Sequence, residues 1–262
     1  MQLLHLRKET TVSGRFAEIC NGRATGIRRK RSGAMHSCAA AIAGALLCIG
    51  AEPQIAQASV QFSPQLEGAI QRASEHYSMP QSTLRAFAAI ESGGNSRAKT
   101  GSYYGVYQLS HSEFRKYGGR GNIFDPKANT DIAARKLRSE SDAFSRQYGR
   151  VPTATELYMV HQQGVGGAAM HMANPDWPAW LNMYLTDEGR RKGPEWARLA
   201  IWGNVPADQR AQFPGGVNSI TSRQFMDMWE TKMARFGGSA RDAYVGAVAA
   251  GMQSAWTRRR GP

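Results

Sequence analysis

Cysteine is scarce in this sequence, and none occurs after position 48. The three cysteines, Cys20, Cys38 and Cys48, all precede Ala58. A mature chain that begins after Ala58 would therefore have no disulfide, no thiol nucleophile and no cysteine-ligated metal.

The sequence also lacks an apolar run long enough to cross a bilayer. The run from Cys38 to Gly50 is shorter than the ~20 residues that a transmembrane helix needs. It follows the basic residues at positions 28–31 and precedes Ala56-Gln57-Ala58, an order typical of a secretory signal peptide. We predict that residues 1–58 are an export segment cleaved after Ala58, and that the mature protein is periplasmic or secreted, without stable membrane insertion. The alternatives are an uncleaved anchor or tail, and a translation start at Met35.

Acidic residues are few, with 20 Asp and Glu against 33 Lys and Arg, for a formal net charge of +13. Residues 1–58 contain 8 of the basic and 3 of the acidic residues, so the predicted mature chain has a net charge of about +8. A cationic exported protein is attracted to polyanions, including nucleic acid and an anionic cell envelope. No nucleic-acid-binding motif is present, so nucleic acid is not an expected partner. Residues 258–262 form a short basic tail.

Patterns for metal and nucleotide binding are missing as well. No His-Glu-x-x-His sequence occurs, and the histidines after residue 58 have no recognised ligand spacing. The glycine-rich patches near Gly164 and Gly215 do not join a strand to a helix within a βαβ unit. We therefore expect neither a metal nor a cofactor.

Helix-start signals recur along residues 59–257. A capping residue stands before a proline, or three residues before Glu or Gln, at Ser63, Ser110, Asp125, Thr153 and Thr221. Another helix is predicted from Thr83 to Glu91, and a last one from Ser239. Tyr103 to Leu109 has the composition of a small strand or hairpin. After Gly164 we expect irregular segments, and then the helix that Thr221 caps.

Glu91 is a carboxylate in an unexpected place. Together with Leu84, Phe87 and Ala88 it falls at the i, i+3, i+4, i+7 spacing of one helix face, so it extends an apolar stripe. It also stands at the helix C-terminus, where the helix dipole opposes a negative charge. Both effects favour the neutral acid, which is the form that protonates a glycosidic oxygen. The alternative is a glutamate that reaches solvent at a frayed helix end.

The segment Ile90–Asn95, followed by Gly105–Gln108, resembles the soluble lytic transglycosylase family of lysozyme-like enzymes. Asp125–Asn129 is similar to the start of that family's next helix, and His161–Gly164 lies where many members have Tyr-Asn-x-Gly. The resemblance extends over Leu66 to Gly167. It implies a mainly α, lysozyme-like α+β fold with a small β-hairpin beside the cleft. The catalytic domain would occupy residues 59–257, including a helical C-terminal extension.

The resemblance also implies roles for individual residues. Glu91 would be the single acid/base, and Ser92 its hydrogen-bonding neighbour. The other expected substrate-binding residues are Gly105, Tyr107, Gln108, His161 and Gln162. Gly105 would allow close backbone approach, and Gln108 would bind sugar hydroxyls or an acetamido group, unless backbone groups satisfy its amide. His161-Gln162 departs from the family's Tyr-Asn, and His161 is a candidate partner for Glu91 or for the substrate.

The expected substrate is the peptidoglycan glycan strand, cleaved at its MurNAc-GlcNAc β-1,4 bond. Glu113, Asp125 and Asp131 are the candidates for a second carboxylate, but none is convincing, which favours a lytic transglycosylase that leaves 1,6-anhydro-MurNAc. A lysozyme-like muramidase is one alternative, and a non-catalytic wall-binding or secretion-adaptor protein is another. An envelope-spanning secretion machine is a further candidate partner. Most of the tryptophans after residue 167 are expected in the core.

Overall fold

Nine α-helices and three short strands make up the part of the chain that the structure, a computed structural model, describes, namely residues 60–238. Their bounds are α1 (Pro64–Tyr77), α2 (Gln81–Ser92), β1 (Lys99–Thr100), β2 (Tyr103–Tyr104), β3 (Leu109–Ser110), α3 (His111–Lys116), α4 (Pro126–Tyr148), α5 (Ala154–Ala173), α6 (Ala179–Tyr184), α7 (Asp187–Lys192), α8 (Pro194–Trp202) and α9 (Ser222–Arg235). The mainly α fold with a small antiparallel sheet is confirmed.

The predicted helix starts are confirmed by their hydrogen bonds. Ser63 accepts a hydrogen bond from the Leu66 amide at the start of α1, and Asp125 accepts two at the start of α4. Ser110, Thr153 and Thr221 each form a complete capping box with the residue three positions later. Each cap is worth about 1 kcal/mol, so the helix boundaries are specified locally.

Residues 165–202 are mostly helical, so the prediction of irregular segments after Gly164 was wrong there. Residues 203–221 are irregular as predicted, apart from two short 3-10 helices, Arg210–Gln212 and Gly216–Ser219. Gly164 adopts φ 71°, ψ 166° and kinks α5 rather than ending it, so the helix continues to Ala173. Helices α6 to α8 follow, each with six to nine residues. Such short helices present too few turns for a clear 3.6-residue period. The predicted helix from Ser239, the export segment and the basic tail lie outside the described residues.

The sheet has the order β1-β2-β3 with antiparallel pairing. Tyr104 pairs with Leu109, which confirms the predicted hairpin, and β1 adds a strand that we did not predict. The buried side chain of Asn129 on α4 holds the turn of this hairpin. Its amide donates to the Tyr104 and Ile123 carbonyls, and its oxygen accepts from the Tyr107 amide at 2.9 Å.

Helix α2 lies at the centre of the packing that forms the site. Its apolar face is fully buried through Leu84, Phe87 and Ala88. Helix α1 packs on α4, while α9 packs against both α2 and α5. The C-terminal turn of α2 therefore lies between the hairpin on one side and α5 and α9 on the other. Within residues 60–238, no helix has the length and apolar character needed to cross a membrane.

Candidate active site

A cleft opens at the C-terminal end of α2. Its wall comes from α2, the sheet, α5, the loop after α8, and α9. The lining residues are Ile90, Glu91, Thr100, Tyr103, Gln108, Tyr158, Gln162, Gly203, Asn204, Val205, Pro206, Trp229 and Lys232. Among these, Glu91 is the one carboxylate.

Glu91 lies in the last turn of α2, and its side chain is only 6% exposed. The Tyr158 hydroxyl donates a hydrogen bond to Glu91 Oε1 at 3.0 Å. Gln162, one turn further along α5, donates from Nε2 to the Tyr158 oxygen at 3.1 Å. Burial and the neighbouring Glu91 carboxylate raise the pKa of Tyr158 well above 10, so this hydroxyl keeps its proton and acts as a donor.

Tyr158 is a site residue that sequence reasoning missed. It stands three residues before His161 and four before Gln162, so the helical period of α5 places all three on one face. That spacing was the available signal. A tyrosine hydroxyl thus contacts Glu91 even though His161-Gln162 replaces the Tyr-Asn pair of the resembled family.

His161 is buried behind Glu91 and does not line the cleft. Its side chain is 4% exposed, and Nε2 is 4.0 Å from Glu91 Oε1, which is too far for a hydrogen bond. Nδ1 lies 3.3 Å from Glu140 Oε2, and Phe87 packs edge-on against the ring. His161 therefore lies between two carboxylates, with Glu140 as its hydrogen-bonding partner.

Behind His161 lies a row of buried or mostly buried charged residues, namely Glu140, Lys136 and Glu113. Lys136 Nζ lies 2.6 Å from Glu113 Oε1 and 3.8 Å from Glu140 Oε1. Burial opposes ionisation of Glu113, but Lys136 and the hydrogen bonds with Ser110 outweigh it and lower its pKa to about 2. Burial likewise opposes ionisation of Glu140, whose pKa is lowered by His161 and Lys136. Both carboxylates are thus held ionised by the protein.

The three candidates for a second carboxylate, Glu113, Asp125 and Asp131, form hydrogen bonds or ion pairs outside the cleft. Glu113 pairs with Lys136 and closes the capping box of α3. Asp125 caps α4, and Asp131 accepts a hydrogen bond from the Tyr77 hydroxyl at 3.0 Å. None of the three lines the cleft.

Gln108 lies on the cleft wall in a strained conformation. Its φ of +46° is in the left-handed region, which non-glycine residues rarely adopt and which is often found at functional sites. Nε2 donates to the Gly105 carbonyl at 2.8 Å, so the backbone satisfies half of the amide. Oε1 is buried and has no hydrogen-bond partner among residues 60–238. The amide oxygen is therefore the half of this side chain that a sugar could engage.

Ser92 connects the end of α2 to the hairpin. Its hydroxyl donates to the Val106 carbonyl at 2.8 Å. This bond holds the segment that carries Gln108 against the helix that carries Glu91. The position of Ser92 therefore indicates a supporting role for it.

Gly105 and Tyr107 lie beneath the cleft rather than on it, so their expected substrate contacts find no support in their positions. Tyr107 is 1% exposed, and its hydroxyl donates to the Leu84 carbonyl at 3.2 Å. Gly105 has φ +77°, and a Cβ there would lie 2.5 Å from Asn129 Nδ2. The tight approach that requires glycine is thus made to Asn129, because the hairpin turn packs directly on α4.

The far wall of the cleft comes from α9 and the loop at residues 203–206. Trp229 is 4% exposed, and its ring centroid lies 4.8 Å from that of Tyr158. The Lys232 ammonium lies 4.9 Å from the Trp229 ring centroid. Sequence reasoning identified neither Trp229 nor Lys232 as a site residue, because their positions depend on how α9 packs against α2.

The other four tryptophans among residues 60–238 do not line this cleft. Trp177 is exposed and is the exception to the expectation that most of them pack in the core. Three more, Trp180, Trp196 and Trp202, pack partly buried against the core, and a basic side chain covers the ring of each. Residues 60–238 contain no group of three or more His, Cys, Asp or Glu side chains placed to hold a metal ion.

Residues 68–154 match the family model for the transglycosylase SLT domain. The match begins within α1 and ends at the first residue of α5, so it includes Glu91, Ser92 and Gln108. Tyr158, Trp229 and Lys232 lie beyond it. A comparison with curated proteins found no match.

Proposed function

We propose that this protein cleaves the MurNAc-GlcNAc β-1,4 bond of peptidoglycan as a lytic transglycosylase. The match of residues 68–154 to the family model for the transglycosylase SLT domain supports this proposal. The domain supports peptidoglycan lytic transglycosylase activity in general and implies a peptidoglycan substrate. The proposal goes further in naming Glu91 as the sole acid/base and 1,6-anhydro-MurNAc as the product end.

The environment of Glu91 is the observation that carries this proposal. A nearly buried carboxyl group in the last turn of α2, on the apolar face of that helix, meets a cleft. The Tyr158 hydroxyl holds Oε1, which orients the group. An oriented carboxyl in a protected cleft is what protonation of a poor leaving group requires.

The reaction needs no other proton donor. Protonated Glu91 gives its proton to the glycosidic oxygen as the bond from that oxygen to the muramyl anomeric carbon breaks. The muramyl C6 hydroxyl oxygen then attacks the anomeric carbon, and its proton passes to the Glu91 carboxylate. The glycan then ends in a 1,6-anhydro muramyl residue, which is an internal acetal, and Glu91 regains its starting form.

The composition of the cleft favours this route over hydrolysis. Glycoside hydrolysis commonly uses a second carboxylate to position water or to form a covalent intermediate. Among the described residues that line the cleft, Glu91 is the one carboxylate, and Glu140 is engaged with His161 and Lys136. Gln108 and Gln162 present amides suited to sugar hydroxyls and acetamido groups.

Replacement of Glu91 tests the proposal. Glu91→Gln keeps the shape of the side chain and removes its acid, so clearing of purified cell walls should fall by at least about a hundredfold. The matched control is Glu75→Gln, on an exposed face of α1. Unchanged clearing by Glu91→Gln would contradict the proposal and favour the non-catalytic adaptor.

We also propose export of the protein, on the strength of the signal-peptide pattern in residues 1–58. N-terminal sequencing of the protein from a periplasmic fraction should give a start near Ser59, and an intact N-terminus would contradict it.

Local opening of the wall for an envelope-spanning secretion machine is a narrower role for the same activity. Co-purification with such a machine would support that role, and even distribution over the wall would oppose it.

A further inference from the structure

Two lysines near Glu91, Lys136 and Lys232, are buried or partly buried, and they differ in whether a carboxylate lies within salt-bridge distance. Lys136 is 7% exposed and contacts two carboxylates, Glu113 and Glu140. Burial lowers its pKa, but those partners more than compensate, so the net shift is upward. The protein thus supplies counter-charges to the lysine that it buries in the interior.

Lys232 differs from Lys136 in both its ion pairing and the direction of its pKa shift. It lies in the last turn of α9 and lines the cleft together with Glu91. Burial lowers its pKa, and attraction from Glu91 and Asp208 does not make up the difference. No carboxylate among residues 60–238 lies within salt-bridge distance of its ammonium group, which instead lies over the Trp229 ring.

Taking a cation partly out of water without an ion-pair partner is costly, and such a group in a cleft is a candidate for binding a ligand that supplies the missing charge. The groups around Lys232 are suited to a ligand that is part sugar and part acid. The nearly buried Trp229 ring lies beneath the ammonium, while Gln108 and Gln162 each have a buried amide oxygen without a partner in the described structure. These amides suit the sugar hydroxyls, and the ammonium suits an anion.

We propose that Lys232 binds a carboxylate of the glycan substrate and makes the cleft selective for acidic, muramyl-containing strands over neutral amino-sugar polymers. This inference rests on the proposed function, because it concerns the substrate of the same cleft. Peptidoglycan offers such a carboxylate on the stem peptide or, where the peptide has been removed, on the lactyl group of muramic acid, whereas a polymer of N-acetylglucosamine has neither. Ammonium-carboxylate hydrogen bonds are among the stronger polar contacts in proteins.

The test compares one glycan with and without its negative charge. Soluble glycan strands are prepared from peptidoglycan, and a portion is amidated so that its carboxylates become neutral amides. Binding to both is measured by calorimetry in the Glu91→Gln background, which prevents turnover. Further variants in that background carry Lys232→Gln, Lys232→Arg or Lys192→Gln. Lys192 is the matched control, since its ammonium also lies over a tryptophan, Trp196, but outside the cleft.

We expect Lys232→Gln to weaken binding of the native strands about tenfold and to leave binding of the amidated strands unchanged. Lys232→Arg should retain most of the affinity, and Lys192→Gln should behave as its parent. Unchanged affinity for amidated strands also shows that the variant is folded. An equal loss on both substrates, or no loss on native strands, would overturn the proposal.

Two further arms distinguish the source of the carboxylate. In intact strands the lactyl carboxyl group is held in its amide bond to the peptide, so only peptide carboxylates are free, whereas strands stripped of their peptides by cleavage of that bond expose the lactyl carboxylate. Dependence on Lys232 with stripped strands assigns the contact to the lactyl group, while dependence only with intact strands assigns it to the peptide. If native strands bind and only the dependence on Lys232 is absent, this inference fails while the proposed function stands. If Glu91→Gln still clears cell walls, the proposed function itself fails.

Discussion

At the residue scale, the hydroxyl of Tyr158 is central to the proposed positioning of the acid. It donates a hydrogen bond to Glu91 Oε1 and accepts one from Gln162 Nε2. The aromatic ring packs independently against Phe87 and Trp229. Loss of the hydroxyl can therefore be separated from loss of the ring.

Tyr158→Phe should lower the rate of wall clearing about tenfold or more while changing the free energy of unfolding by only about 1 kcal/mol. The reason is that the ring contacts remain while Glu91 loses an orienting hydrogen bond. Initial clearing rates and urea unfolding measure the two effects. Tyr148→Phe, whose ring stacks on Phe144, is the matched control. A Tyr158→Phe enzyme with full activity would show that this hydrogen bond does not position the acid.

At the element scale, Lys136 on α4 forms buried ion pairs with Glu113 of α3 and with Glu140 of its own helix, and Glu140 contacts His161 of α5. Removal of one member of such a group leaves its partners charged in a poorly solvated place. The exposed pair on the same helix, Arg138 with Asp142, is about half exposed on both sides and is screened by water.

Lys136→Met should therefore reduce the free energy of unfolding by about 3–5 kcal/mol, because Glu113 and Glu140 lose their shared cation. Arg138→Met on the same helix should cost about 1 kcal/mol or less. Chemical denaturation of the two variants gives the comparison. Similar losses in both would mean that the buried row is not a stabilising unit.

A second buried polar group joins α5 to α9. His171 Nδ1 lies 2.6 Å from Ser222 Oγ, which accepts a hydrogen bond from the Asn182 amide at 2.8 Å. Ser222 Oγ thus lies within hydrogen-bond distance of both the Asn182 amide and the His171 ring. Burial lowers the pKa of His171 to about 4, so the native state resists its protonation.

His171 should make the protein less stable as the pH falls from 6.5 to 4. In that window the unfolded chain takes up a proton that the native protein refuses, so stability is present above pH 6.5 and declines by about 3 kcal/mol towards pH 4. His171→Asn keeps a polar group near Ser222 and cannot titrate, so it should flatten this part of the curve. Urea midpoints at pH 7 and pH 5 measure the slope for both proteins. An equally steep slope in the variant would assign the effect to other groups.

At the scale of the whole molecule, the features that the sequence predicts correctly depend on residues close together in the chain. The helix starts followed from Ser63, Asp125 and the three capping boxes, because a cap is formed by residues within one turn of each other. The position of Glu91 on the apolar face of α2 followed from the helical period in the same way. These parts of the fold could be predicted from the sequence.

The rest of the site depends on contacts between distant segments. Trp229 and Lys232 reach the cleft only because α9 packs on α2, and no sequence spacing specifies that packing. Gly105 is predicted to allow close approach of the substrate, and the close approach that the structure shows there is to Asn129, 24 positions further along the chain. One wall of the cleft thus lies within residues 68–154, and the other is built from residues beyond them.

The product end of the digested glycan tests the central claim most directly. Purified cell walls are digested by the wild-type protein and by Glu91→Gln in water enriched in heavy oxygen, and the fragments are analysed by mass spectrometry. We expect the wild-type protein to yield 1,6-anhydro ends without the heavy isotope, and the variant to yield almost no fragments. Reducing ends that carry the heavy isotope, or anhydro fragments from Glu91→Gln at the wild-type rate, would contradict the account.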